Sequence, residues 1–155
     1  MTPDYPIDSA ALAQEAATLI FARFTEDTAL KLGLVLVEMA RADGMAVVID
    51  IRTANRTLFH AALPGSAPLN DMWARRKSNT ALRFQLASLQ VGAVNREKGE
   101  TLAQHGLSPE DHADHGGAVP IRVDGVGVVA VATVSGLPQV EDHRLVVRGI
   151  QALLR

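Results

Sequence analysis

His115-Gly116-Gly117-Ala118-Val119-Pro120-Ile121-Arg122-Val123 runs into Asp124-Gly125, then into Val126-Gly127-Val128-Val129-Ala130-Val131-Ala132-Thr133-Val134. It closes with Ser135-Gly136-Leu137-Pro138-Gln139-Val140-Glu141-Asp142-His143. Asp-Gly between two β-branched runs is the strongest short-range signal for a β-hairpin. Upstream of the turn, Val119, Ile121 and Val123 alternate with Pro120 and Arg122, which describes a half-buried strand. Downstream, Val128, Ala130, Ala132 and Val134 share one face, and Val129, Val131 and Thr133 share the other. A strand apolar on both faces is a central strand covered on each side. The chain then turns at Gly136. Pro138 opens a helix with Glu141 and Asp142 in its first turn, where carboxylates suit the helix dipole.

Composition narrows the possibilities. At 155 residues the chain fits one domain, residues 1–155, large enough for a proper core. Hydrophobic residues make up 48% and charged residues 21%, which argues against disorder. With no cysteine, disulfides, thiolate catalysis and thiolate metal sites are excluded. A net charge of −2 without a basic block gives nucleic acid no phosphate-binding surface. The start, Met1-Thr2-Pro3-Asp4-Tyr5, lacks the charge and apolar core of a signal peptide, and no segment has the length and apolarity of a membrane span. A cytoplasmic location, without membrane association, is the expectation.

In chain order, Ser9 is placed to cap a short helix over 10–17, and residues 18–24 alternate as a strand. Thr25 reads as the N-cap of a second helix reaching about Ala42. Its charges Lys31, Glu38 and Arg41 form one narrow stripe, and Leu30, Leu32, Leu34, Val35, Leu36, Val37 and Met39 fill the rest of the circumference. A helix so apolar is buried on more than one side. After Asp43-Gly44, residues 45–52 and 57–63 form a hairpin around Thr53-Ala54-Asn55-Arg56. Past the 64–68 loop, Asn70 is placed to cap a third helix carrying Trp73, Lys77, Thr80, Phe84 and Val91 on one face. Residues 92–117 read as a short helix and irregular chain. Hairpins with intervening helices predict an α+β fold: a five-stranded, mostly antiparallel sheet flanked by helices on both faces.

Three motifs carry a family resemblance: Asn70-Asp71-Met72-Trp73-Ala74-Arg75-Arg76-Lys77, His115-Gly116-Gly117-Ala118-Val119-Pro120-Ile121, and Val134-Ser135-Gly136-Leu137-Pro138-Gln139 with Glu141-Asp142-His143. In this order they resemble a bacterial and fungal branch, uncharacterised protein family three-zero-three, of the haem-degrading-domain superfamily (GlcG-like and HbpS-like proteins). The Phe59 strand and the helix over 30–40 fit as well. The resemblance implies a sheet of the profilin and PAS type and assembly into homo-oligomers, dimers or larger. It also implies haem as a candidate cofactor, since superfamily members bind or degrade haem.

The candidate ligand-binding residues are Trp73, Lys77, His115, Gly116, Gly117 and His143. His143 aligns with Val146, Val147, Ile150 and Leu154, so it starts the buried stripe of the last helix, where the positive helix end favours a neutral imidazole. That suits either a ligand site or a core histidine bonded to a neighbouring loop. Lys77, one turn from Trp73, can receive a carboxylate or phosphate, pair with the indole, or snorkel. Arg75, Arg76 and Lys77 beside Asn70 form the densest positive charge, suited to an anion or to solvation. His112 and His115, three apart among carboxylates, are the weak metal candidates, with a hydrophilic loop as the alternative. Ser135 has no nucleophile-elbow surroundings and reads as a turn residue.

These residues support three functions. One is an oligomeric domain binding a small ligand, haem or another anionic molecule. Another is a haem-degrading or metal-assisted enzyme using His115 and His143. The third is an interaction or scaffold module. The binding domain is the primary reading, with Trp73, Lys77, His115 and His143 expected around one cleft.

Overall fold

The computed structural model describes residues 7–155, so the reading of Met1 to Tyr5 lies outside the described residues. Among them, five α-helices and one five-stranded sheet form an α+β fold, as predicted. The strands are β1 (Ile20–Phe21), β2 (Val48–Arg52), β3 (Thr57–Ala62), β4 (Ala118–Val123) and β5 (Gly127–Ser135), in the order β1-β4-β5-β2-β3. Every pairing is antiparallel except β1 with β4.

The Asp124-Gly125 hairpin joins β4 to β5, and β5 lies between β4 and β2. Its residues 130–135 are buried, while Val128 and Val129 near the turn are half-buried. One face of the sheet, with Ile49, Ile51, Ile121, Ala130, Ala132 and Val134, packs on α2 (Glu26–Ala42) and α5 (Gln139–Leu154) through Leu32, Leu36, Leu145 and Ile150. Gly149 permits this closeness, since a Cβ there would lie 2.5 Å from Leu36. The other face meets α3 (Pro68–Phe84) and mixes apolar and polar contacts: Ala118 and Val131 pack with Ala81, the Ser78 and Thr133 hydroxyls are 2.7 Å apart, and Asp50 is buried in register with Thr133.

Several boundaries differ from the sequence reading. The first helix, α1 (Ser9–Ala17), is capped by Asp8, which accepts from the Ala11 amide at 2.7 Å, while Ser9 donates to Glu97. The strand expected over 18–24 is two residues long, because only Arg122 and Val123 pair with it; Phe24 turns back onto Phe21. Thr25 caps α2 as expected, accepting from and receiving the side chain of Thr28. Asn70 is not the N-cap of α3. It lies inside the helix, and its side chain reaches back to the Ala67 amide at 2.9 Å.

The single helix expected to reach Val91 is two helices. Gln85 adopts a left-handed conformation (φ 55°), ending α3, and α4 (Ser88–Lys98) follows. The Gln85 carbonyl accepts from Arg122 of β4, and the Ser88 hydroxyl accepts from the Ala118 amide, so the break ties both helices to the sheet. No helix among the described residues is long and apolar enough to cross a membrane.

Candidate functional site

A cleft of about 240 Å³ opens where α3, the 115–117 segment and the start of α5 meet. Asn70, Trp73 and Lys77 line it from one face of α3, His115 from the entry to β4, Ser135, Gly136 and Leu137 from the end of β5, and Gln139 and Asp142 from α5. The spacing 70, 73, 77 puts these α3 residues on one stripe, and the turn at Gly136 (φ 145°) brings α5 across to face them.

Lys77 and Asp142 form the floor. The Lys77 Nζ lies 2.8 Å from Asp142 Oδ2 and 3.5 Å from the Val134 carbonyl, and the two residues are only 4% and 1% exposed. Asp142 Oδ1 accepts from the Leu137 amide at 2.9 Å. Burial pushes the Asp142 carboxyl up to about 6, against the opposing pull of the Lys77 ammonium and the Leu137 and Gly136 amides. Such a pair is a poor stabilising device, since desolvating two charges offsets much of their attraction.

The glycines set how closely the walls approach. A Cβ on Gly117 would lie 2.4 Å from the Val134 carbonyl and 2.9 Å from Lys77 Nζ. One on Gly116 would lie 2.4 Å from the Gln139 carbonyl, and the Gly116 amide donates to the Gln139 side chain at 2.9 Å. Both glycines therefore shape the cleft without lining it.

At the rim, the His115 ring meets Trp73 edge-on, with centroids 5.1 Å apart, and the Arg76 guanidinium lies 4.3 Å from the indole centroid. Partial burial holds the His115 imidazolium below its usual range; Asp114 opposes this, and Lys77, Arg76 and Arg96 reinforce it. His115 is thus a neutral imidazole at neutral pH, able to accept or donate one hydrogen bond.

Residues 24–151 match the family described as haem degrading protein HbpS-like. The chain belongs to this family. Among its HbpS-like relatives, a UPF0303 protein of Streptomyces coelicolor is 51% identical over 94% of this chain and 92% of its own length. The crystal structure of Ybr137w protein superposes with a TM-score of 0.85 at 31% identity, covering 95% of this chain and 87% of that one. That of HbpS superposes at 0.69 and 25% identity, covering 86% and 91%. The family placement drawn from the three motifs is thereby confirmed, as is the fold.

Within this HbpS-like framework, Trp73, Lys77 and His115 converge as expected, with Gly116 and Gly117 behind them, but His143 does not. The next residue of α5 after Asp142 points toward α1: His143 is 2% exposed, and its Nε2 lies 2.6 Å from the Glu15 carboxylate. It borders a separate narrow gap with Leu12, Leu19 and Val119. A step of one along a helix turns the side chain by 100°, which separates neighbours that look equivalent in sequence.

The positive run of α3 is also divided. Arg75 donates to the Glu110 carbonyl and to Asp111, and Arg76 to the Pro109 carbonyl, so both hold the 108–113 segment in place. His112 is bonded to the Ser108 carbonyl through Nδ1. No group of three His, Asp or Glu side chains among the described residues is arranged to hold a metal ion.

Sequence reasoning missed Ser135, Leu137, Gln139 and Asp142 as cleft residues, although their motif was recognised. It also missed an ionic cluster beside the first turn of α3. Asp50 is held by Arg52 at 2.5 and 2.7 Å and by His60 Nδ1 at 2.8 Å, and His60 Nε2 lies 2.9 Å from Asp71.

Proposed function

We propose that this protein is a self-associating domain that binds a small organic anion in the cleft between α3 and α5. The observation carrying this reading is Lys77: an almost fully buried ammonium on the cleft floor, paired with a carboxyl that burial pushes up to about 6. Perturbed ionisable groups in a concave site with a few converging polar groups are the physical mark of a ligand site. An arriving anion paired with Lys77 disfavours ionised Asp142, so Asp142 takes up a proton as the ligand binds. Trp73 supplies a flat apolar wall, and the amino end of α5 adds a favourable potential for negative charge.

Haem fits the donor chemistry, but the cleft within one chain is small for it. His115 is a neutral imidazole of the type that serves as an axial ligand to haem iron. Yet drug-sized ligands occupy pockets of about 300–1,000 Å³, and the cleft within one chain, at about 240 Å³, is smaller than these. A porphyrin with its propionates is larger than most such ligands. A small anion matches the volume.

The self-association reading rests on α2. Leu30 and Leu34 project from it 48% and 55% exposed, on the side away from the sheet, and a second copy of this chain is the occupant we assign to them.

Trp73 is the sole tryptophan, so its fluorescence reports the cleft directly. Titration with acetate, pyruvate, benzoate and inorganic phosphate should produce a saturable change with at least one of them, and the response should strengthen as pH falls through about 6. A haemin titration followed by absorbance is the competing arm. Tight one-to-one haemin binding, with no response to the small anions, overturns the proposal.

A further inference from the structure

We infer that Lys77 captures a small aldehyde or ketone by forming an imine through its Nζ, with Asp142 as the proton carrier. This rests on the reading of the cleft as a small-ligand site and goes beyond it by naming the reactive group of the ligand. The geometry places an amine beside a carboxylate that can carry its proton. Lys77 lines an open cleft, and its Nζ is held 2.8 Å from a carboxylate oxygen of Asp142 and 3.5 Å from the Val134 carbonyl. Gly117 keeps the space beside Nζ clear, because a Cβ there would sit 2.9 Å from it. A lysine in a water-poor pocket, next to a group that can take its proton, is the arrangement in which amines act as nucleophiles toward carbonyls.

The proton inventory closes without an oxidant or reductant. Nζ gives a proton to Asp142 Oδ2 and becomes a neutral amine. Its lone pair forms a C–N bond to the carbonyl carbon while the C=O π pair moves to oxygen, and a proton shifts from nitrogen to that oxygen. Asp142 returns its proton to the resulting hydroxyl, the C–O bond breaks, and water leaves. The product is a protonated imine on Lys77 beside an ionised Asp142. An ordinary carboxyl is too acidic to hold the proton between these steps; the environment that pushes Asp142 up to about 6 brings it closer to that task.

The sequence supplies its own controls, because its lysines are Lys31, Lys77 and Lys98, and the other two are exposed. Native protein is incubated with pyruvate or acetaldehyde and cyanoborohydride, digested, and the reduced adduct at each lysine is quantified by mass spectrometry. Adduct at Lys77 should exceed that at Lys31 and Lys98 by about tenfold, since the cleft holds amine and carbonyl together. In urea the three lysines should react alike. Lys77→Arg keeps the positive charge beside Asp142 but cannot form the imine, and should leave only the background adduct at Lys31 and Lys98. Adduct confined to Lys31 and Lys98 in native protein overturns the inference. If small carboxylates still bind in that case, the anion site stands and only the covalent step is lost. If Lys77 is modified selectively while no carboxylate changes Trp73 fluorescence, the capture stands and the anion reading falls.

Discussion

Asp50 and His60 stand opposite each other across the β2–β3 pair, with the His60 Nδ1 2.8 Å from an Asp50 carboxylate that is 1% exposed. The same carboxylate takes both Arg52 donors, and the far nitrogen of His60 reaches Asp71 in the first turn of α3. One buried acid therefore pins a cross-strand pair and the helix that carries the cleft. Asp50→Ala removes the common partner of the Arg52 guanidinium and the His60 ring and should cost about 3 kcal/mol in urea unfolding at neutral pH. Asp50→Asn, which keeps the shape and part of the hydrogen bonding, should cost about half as much. A loss no larger than that of an ordinary surface substitution would show that the cluster is decorative.

Asp142 gives a pH dependence whose sign is fixed by the direction of its shift. Folding raises its carboxyl from an ordinary 3.8 to about 6, so the folded chain binds the proton more tightly than the unfolded one. The associated stability is complete below about pH 4 and is lost as pH rises through 6, by on the order of 3 kcal/mol. Asp142→Asn is neutral throughout. It should match wild type near pH 4 and become the more stable protein above pH 6, while losing the pH dependence of ligand binding. Unfolding curves for both proteins between pH 4 and 8 decide this, and a stability difference that does not change with pH counts against the shift.

Gly33 of α2 and Phe59 of β3 leave no room for a methyl group, since a Cβ at Gly33 would lie 2.4 Å from the ring. Gly33→Ala must push the edge strand β3 away from α2 or rotate the ring. Overpacking of this kind costs about 1–3 kcal/mol, and a thermal unfolding midpoint unchanged from wild type would mean that the edge strand yields freely.

What could be read from the sequence were the features written in local code. The Asp-Gly turn, the alternation in 119–123 and the double-faced run after it placed β4 and β5, and Thr25 marked the start of α2. Features that depend on partners far along the chain were not legible. His143 looked like a cleft residue until its partner proved to be Glu15, 128 residues away. The stripe from Trp73 to Val91 looked like one helix because apolar spacing continues through Gln85. What breaks it is a left-handed residue whose carbonyl serves Arg122 on a distant strand. Asp142 was assigned to helix-dipole duty from its position alone, and only the fold, which brings the start of α5 to Lys77 of α3, reveals the ammonium it holds.

The same contrast between local pattern and packing separates the two α2 substitutions that test the proposed self-association. Along α2, Ala29, Leu32, Gly33, Leu36 and Ala40 are buried against the sheet and α5, while Leu30 and Leu34 face away. Val37 is part of the core contact, half-buried against the cluster formed by the sheet and α5. A charge at Val37 therefore enters the core, and Val37→Glu should unfold the subunit. Leu34, 55% exposed within one chain, is different. Leu34→Glu should keep native circular dichroism yet shift the light-scattering mass of dilute protein from a multimer toward 16.5 kDa. Covering each Å² of this strip is worth about 25 cal/mol, so two leucines and their neighbours on both copies can supply several kcal/mol toward association, and one buried carboxylate per copy is enough to cancel it. Wild-type protein that already scatters as a single folded chain would remove the need for any partner on α2.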